Sequence, residues 1–289
     1  MAGRALVLGG GGTLGVAWET GLLAGLEAEG ASVGGADLFL GTSAGSIVGS
    51  AIARGVSPNM MAEMQIAVAR QQAEAGTGPA AGPPPDLSKV MAFFMSLPET
   101  GEPPVEKRRE IGEVSRTSAT MPEAQMLAQF QTLGVAGDWP KNFACTAVDA
   151  ESGDFKVWRE GDGVELTRAV ASSCSVPGIY PPVTINGRVW MDGGMRSATN
   201  VDVAAGHERV LAIAVIPMAI AEPRMLARIN AEAEAVLAAG GRFHVISPDA
   251  ETQDVFGMNM MDPSRRIPVI EQGLRQGKAI AARVKAFWD

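Results

Sequence analysis

A chain of 289 residues that is 46% hydrophobic and 19% charged holds enough apolar side chain for a sizeable core in one or two domains, and none of its apolar runs approaches a bilayer span. The net charge of −8, with neither a basic patch nor a basic tail, argues against nucleic acid as a partner and against simple electrostatic docking on anionic lipid. Two cysteines and two histidines in no ligand-like cluster leave no zinc or redox signature, so neither a metal nor a cofactor is expected. Only Arg4 and the short apolar stretch Ala5 to Leu8 precede the first glycines, too little for a signal-peptide core, and a reduced, cytoplasmic setting is the expected location.

Residues Arg4 to Leu8 read as a buried strand. Gly9 to Gly12 then form a bare backbone loop that opens a helix running through Trp18, Leu22, Leu23 and Leu26. Consecutive glycines between a strand and a helix leave amides free to point at one acceptor, a phosphate or an oxyanion. The spacing Gly10-x-Gly12-x-x-Gly15 also satisfies a dinucleotide fingerprint, which needs an acid at the end of the next strand to bind a ribose. That strand ends in Gly41-Thr42-Ser43 instead, and Asp37 stands at its start.

Asp37 to Arg54 reads as a short apolar strand, a turn held by Gly41 and Gly45, and a small-residue helix from near Ala44, with Ser43 at the centre of a G-x-S-x-G pattern. A serine on so sharp a strand-to-helix turn has its hydroxyl pushed out above the sheet, and the following helix points amides and a positive dipole end toward it. Ser43 is therefore the candidate nucleophile.

From Val56 the character changes. An amphipathic helix carrying Met60, Met61 and Met64 is followed by a loose Gly/Ala/Pro run at 75–85 and by helical segments at Leu87 to Leu97, Val105 to Arg116 and Pro122 to Leu133. This block, about 57–140, is expected to be a helical cap or insertion within one domain spanning 1–289. Its methionines suit either an adaptable acyl pocket or ordinary core filling.

Two hairpins follow: Asn142 to Val148 with Phe155 to Trp158, and Val183 to Ile185 with Arg188 to Met191 across the Asn186-Gly187 turn. Between them, a helix beginning at Leu166 leads into Ser172-Ser173-Cys174-Ser175-Val176-Pro177, whose small residues imply a tight connection packed close to something. The second hairpin runs into Asp192-Gly193-Gly194, where a carboxylate can face a cleft while the backbone turns away. Strands at Val210 to Val215 and Phe243 to Ile246 alternate with helices at Ala221 to Ala239 and Pro268 to Trp288. The expected fold is an α/β/α sandwich with a largely parallel central sheet.

A glycine amide loop, a serine elbow and a distal Asp-Gly-Gly need one explanation. With GGGGTLG, GTSAG, AVASSCSVPGIYPPV at 169–183 and DGG at 192–194, the chain resembles the patatin-like phospholipase family over roughly its first two thirds. The resemblance implies a Ser43–Asp192 dyad, an oxyanion hole from Gly10, Gly11 and Gly12, and hydrolysis of an acyl ester, typically a lipid, with room for transient contact with a membrane surface. A carboxylate at its reference pKa near ~4 is a weak base for a hydroxyl, so proximity and the amide hole would supply most of the acceleration. One departure is Leu14, where the family commonly has a basic residue, which leaves headgroup preference open. Two alternatives stand beside this reading: a Ser-His-Asp triad recruiting His207 or His244 to Ser43, and a dinucleotide-binding module using the Gly10–Gly15 loop.

Overall fold

The computed structural model of the chain describes residues 3–74, 88–98 and 100–289. The run at 75–85 that was expected to be loose lies outside them. In chain order the elements are β1 (Arg4–Leu8), α1 (Gly12–Ala28), β2 (Leu38–Gly41), α2 (Ala44–Ala53), α3 (Pro58–Glu74), α4 (Ser88–Ser96), α5 (Val105–Thr117), α6 (Glu123–Thr132), β3 (Phe143–Asp149), β4 (Phe155–Arg159), α7 (Leu166–Ser173), β5 (Val183–Ile185), β6 (Arg188–Asp192), β7 (Arg209–Ile213), α8 (Glu222–Ala238), β8 (Arg242–Ile246), α9 (Ala250–Phe256) and α10 (Arg266–Trp288).

Alternate residues of the central strands divide the core in two. Leu6 and Leu8 of β1, Phe39 of β2 and Leu211 and Ile213 of β7 pack with α1, α2, α7 and α10 on one face. Ala5 and Val7, Leu38 and Leu40, and Val210 and Ala212 pack with Ile229, Ala233 and Val236 of α8 on the other. Strands apolar on both faces are what a helix-covered parallel sheet requires. The three layers and the mostly parallel sheet are as expected: β8, β7, β1, β2 and β3 run parallel side by side, and β4, β6 and β5 add antiparallel pairs at the β3 end. Asn186 and Gly187 both take positive φ, of 52° and 75°, the geometry a two-residue Asn-Gly hairpin needs.

One detail of this topology brings the site together. The Asn142 carbonyl accepts from Phe39 of β2, and the Ala150 amide donates to Val189 of β6. Residues an even number apart on a strand point their backbone groups to the same edge, so β2 and β6 share one edge of β3, end to end. Gly41, the last residue of β2, lies opposite Cys145, and Asp192, the last of β6, lies opposite Ala147. The chain leaving β2 toward Ser43 therefore runs up against Asp192.

The helices of the 57–140 block are each tied to this frame. Ser57 and Asn59 of the α3 start donate to Glu27 at the end of α1, and Gln65 donates to Thr20, so α3 lies antiparallel on α1. It runs to Glu74, where the run expected to be loose begins, because Ala, Arg, Gln and Glu continue it without a breaker. Val90, Phe93 and Leu97 of α4 and its exit, with Ile111 of α5, pack on Val148, Met191 and Met195. Met126 and Phe130 of α6 enter the main core. Among the described residues, no helix is long and apolar enough to cross a membrane.

Candidate active site

Ser43 holds φ 52° and ψ −117°, a conformation that a residue with a side chain adopts at a cost of about 1–3 kcal/mol. Two glycines make the turn possible. A Cβ on Gly45 would run into the Leu8 carbonyl, and one on Gly41 into the backbone of Ser46. The strained residue is then held by hydrogen bonds: its carbonyl accepts from the Ser46 amide (2.9 Å), the Ser46 hydroxyl (2.6 Å) and the Cys174 thiol (3.2 Å), and its amide donates to the Ser173 hydroxyl (3.0 Å).

The glycine loop leaves the end of β1 alongside Ser43. A Cβ on Gly10 would stand 3.3 Å from the Ser43 Cβ, which measures how close the loop passes. Gly10 corrects the expectation for its amide. That amide donates to the Ala198 carbonyl at 2.8 Å and is spent on holding the loop. Among the described residues, the amides of Gly11, Gly12 and Ala44 have no hydrogen-bond acceptor, and Ala44 opens helix α2, where the dipole adds positive potential. Gly11 is pressed against Val215, whose Cγ1 would lie 2.6 Å from an added Cβ. Gly12, with φ 61°, lies under Met260 and Met261, and the Leu14 amide donates to the Met260 carbonyl (3.0 Å). The loop at Met258 to Met261 thus packs over the glycine loop through Met260 and Met261. Leu14 itself is fully buried in the core.

Asp192 is 2% exposed. Its Oδ1 accepts from the Gly194 amide at 2.7 Å, and its own amide donates to the Ser175 carbonyl at 3.0 Å. Oδ2 is buried without a fully formed hydrogen bond among the described residues. Burial pushes the pKa of this carboxyl up to about 7, while the Ser43 hydroxyl and the Gly194 amide pull the other way. Beneath the pair lies a polar knot that sequence reading missed: Asn200 Nδ2 donates to Thr42 Oγ1 (3.0 Å), Thr146 Oγ1 (3.3 Å) and the Ser197 carbonyl (2.8 Å), and Arg196 donates to Asn200 Oδ1 (2.8 Å). It ties the loop after Asp192 to the residue before Ser43.

Neither histidine reaches this place. His207 precedes β7, at the opposite end of the parallel sheet from Ser43, and its Nδ1 pairs with the Ala204 carbonyl (2.9 Å). His244 sits within β8, separated from β2 by β7 and β1, and its ring packs on Phe287. The triad alternative fails on this geometry. Asp37 accepts the Arg4 amide at 2.7 Å, and the end of β2 carries no acid, so the dinucleotide fingerprint lacks its ribose partner. An open cavity of about 620 Å³ between α6, α7 and β5 is lined by neither Ser43 nor Asp192 nor the glycine loop.

The backbone course is similar to that of solved structures. VipD from Legionella pneumophila matches with a TM-score of 0.48 at 11% identity, over 98% of this chain and 67% of that one. The type III effector protein ExoU matches with a TM-score of 0.44 at 15% identity, over 98% and 53%. The ExoU–SpcU complex from the type III secretion system of Pseudomonas aeruginosa matches with a TM-score of 0.40 at 16% identity, over 96% and 52%. The chain therefore spans about two thirds of the length of VipD and about half that of the ExoU chains. No curated protein matches the sequence. The family model for patatin-like phospholipase matches residues 6–205, from within β1 to just beyond the turn that follows Asp192, and the chain belongs to that family.

Proposed function

We propose that the chain is a serine acyl-ester hydrolase of the phospholipase A or lysophospholipase type, working through a Ser43–Asp192 dyad and an acyl-enzyme. One observation carries this reading: a strained, nearly buried serine stands beside a carboxylate oxygen, and beside backbone amides, that have no hydrogen-bond partner among the described residues. Family membership supports lipid as the substrate class.

In this reading Asp192 takes the Ser43 proton as Oγ attacks the ester carbonyl, and the alkoxide that develops on the carbonyl oxygen is met by the amides of Gly11, Gly12 and Ala44. Collapse expels the alcohol, which leaves with the proton from Asp192. Water then gives a proton to Asp192 and attacks the acyl-enzyme, and the fatty acid departs as Ser43 is reprotonated. A base with a pKa of about 7 is half ionised at neutral pH and matches the task better than an ordinary carboxylate. Exposed Met91, Phe94 and Met95 on α4, with Ile220 and Met258 on loops, offer apolar contacts for transient docking on a membrane that supplies the substrate. The 57–140 helices act as a cap within the same domain.

The test is release of fatty acid from mixed micelles of phosphatidylcholine, lysophosphatidylcholine or diacylglycerol, followed by titration of the acid. Turnover of at least one of these esters is expected, and turnover of none would remove the lipid assignment. The amide hole has its own test. Gly11→Ala forces its methyl onto Val215 and displaces the loop, so kcat is expected to fall by about 10²-fold, the usual cost of one lost oxyanion donor. Adding Val215→Gly, which removes the Cβ 2.7 Å from the new methyl along with both γ-methyls, should recover part of that loss by making room. Unchanged kcat in Gly11→Ala would remove the loop from the reaction.

A further inference from the structure

Four small residues in a row, Ser172-Ser173-Cys174-Ser175, end α7 and begin the link to β5. Two of them serve their own helix: the Ser172 hydroxyl donates to the Ala169 carbonyl (2.7 Å) and the Ser175 hydroxyl to the Ala171 carbonyl (2.9 Å). The two between them turn the other way. Ser173 Oγ accepts the Ser43 amide, and Cys174 Sγ donates to the Ser43 carbonyl. The next carbonyl, of Ser175, accepts the Asp192 amide. One turn of chain thus grips both backbone groups of the strained serine and one of the acid, and all four residues are buried.

We infer that Ser173 and Cys174 are positioning residues for the nucleophile, holding Ser43 in its unfavourable backbone conformation so that its hydroxyl stays aimed at Asp192. The inference rests on the dyad reading above. The physical reason is that a residue at positive φ relaxes toward ordinary geometry unless its surroundings over-determine it. Here the local turn supplies only the bonds from Ser46, all to the carbonyl. The amide, whose direction turns with φ, is held by Ser173 alone among the described residues. A relaxed turn would still bind substrate, because nothing in the substrate's path changes, but the hydroxyl would point elsewhere. The signature is therefore a loss in kcat with KM preserved.

The experiment compares wild type, Ser173→Ala, Cys174→Ala, Cys174→Ser and Ser43→Ala for kcat and KM on a soluble p-nitrophenyl acyl ester, with thermal melts of each. Ser173→Ala is expected to lower kcat about 10-fold or more with KM within about twofold. Cys174→Ala should lower kcat less, and Cys174→Ser, which keeps a donor at that point, should restore most of the loss. Full kcat in both alanine variants overturns the inference, as does a lowered melting temperature with kcat per folded molecule intact. If Ser173→Ala does not fold, the contrast between Cys174→Ala and Cys174→Ser decides it: rescue by serine supports the inference and equal activity of the two overturns it. Activity surviving in Ser43→Ala would sink the dyad reading instead, a result separate from any of these.

Discussion

Ser43→Ala is expected to lower kcat for a fatty-acyl ester by about 10⁴-fold or more, because the covalent route disappears and only the amide hole and binding energy remain. The fold should survive. Ser43 is 7% exposed, and its hydrogen bonds to Ser173 and Cys174 run through its backbone amide and carbonyl, which alanine keeps. Removing the hydroxyl also removes a group that favours the ionised form of Asp192. The variant therefore serves as a control for the electrostatics of the site: the Asp192 pKa should rise further in it. Steady-state kinetics and a melting curve on the same preparation test both parts.

Asp192→Asn is expected to be nearly as damaging to activity and opposite in sign for stability. The amide side chain keeps an oxygen for the Gly194 amide but cannot take a proton, so kcat should fall by about 10³-fold or more. In wild type, kcat/KM should rise with pH through about 7 and level off above it, since the acid works only when ionised and burial has raised its pKa to about 7. That limb should be missing from whatever residual activity Asp192→Asn retains. For stability the sign is set by a folded pKa above the unfolded one of about 4. The folded state then binds the proton more tightly, so the contribution of Asp192 is fully present below the unfolded value and is lost as pH rises through the folded value. Holding the bare charge in the site costs up to about 4 kcal/mol above pH 7, which the neutral amide avoids. Asp192→Asn should accordingly melt several degrees above wild type at pH 8, with the difference closing toward pH 4. A melt series in matched buffers checks this.

The elbow and the glycine loop were legible because each is a local event: a strand, a turn that only glycine permits, and a helix, all within about a dozen residues. From its own surroundings in the sequence Asp192 was legible only as a carboxylate before two glycines, and its pairing with Ser43 was implied by the family resemblance alone. Its meeting with Ser43 depends on β6 continuing the edge of β3 where β2 stops, a pairing register that no local pattern encodes. The same holds for Gly10, whose amide is consumed by Ala198 from a distant loop, and for Asn200, which reads as an ordinary turn residue until Thr42 and Thr146 are placed beneath it. The raised pKa of Asp192 follows from burial that several elements share, so a sequence reading leaves it near its ordinary value and underrates it as a base. The run from Ser172 to Ser175 was recognisable as a tight connection, and the structure adds that its neighbour is the Ser43 turn itself.

The central claim, that one particular hydroxyl is made nucleophilic by one particular acid, is tested most directly by reaction with a fluorophosphonate and mass mapping of the adduct. A single adduct on Ser43 in wild type, none in Ser43→Ala, and labelling slowed at least about 10²-fold in Asp192→Asn is the predicted result. An adduct on another residue, or equal labelling rates in wild type and Asp192→Asn, would contradict it.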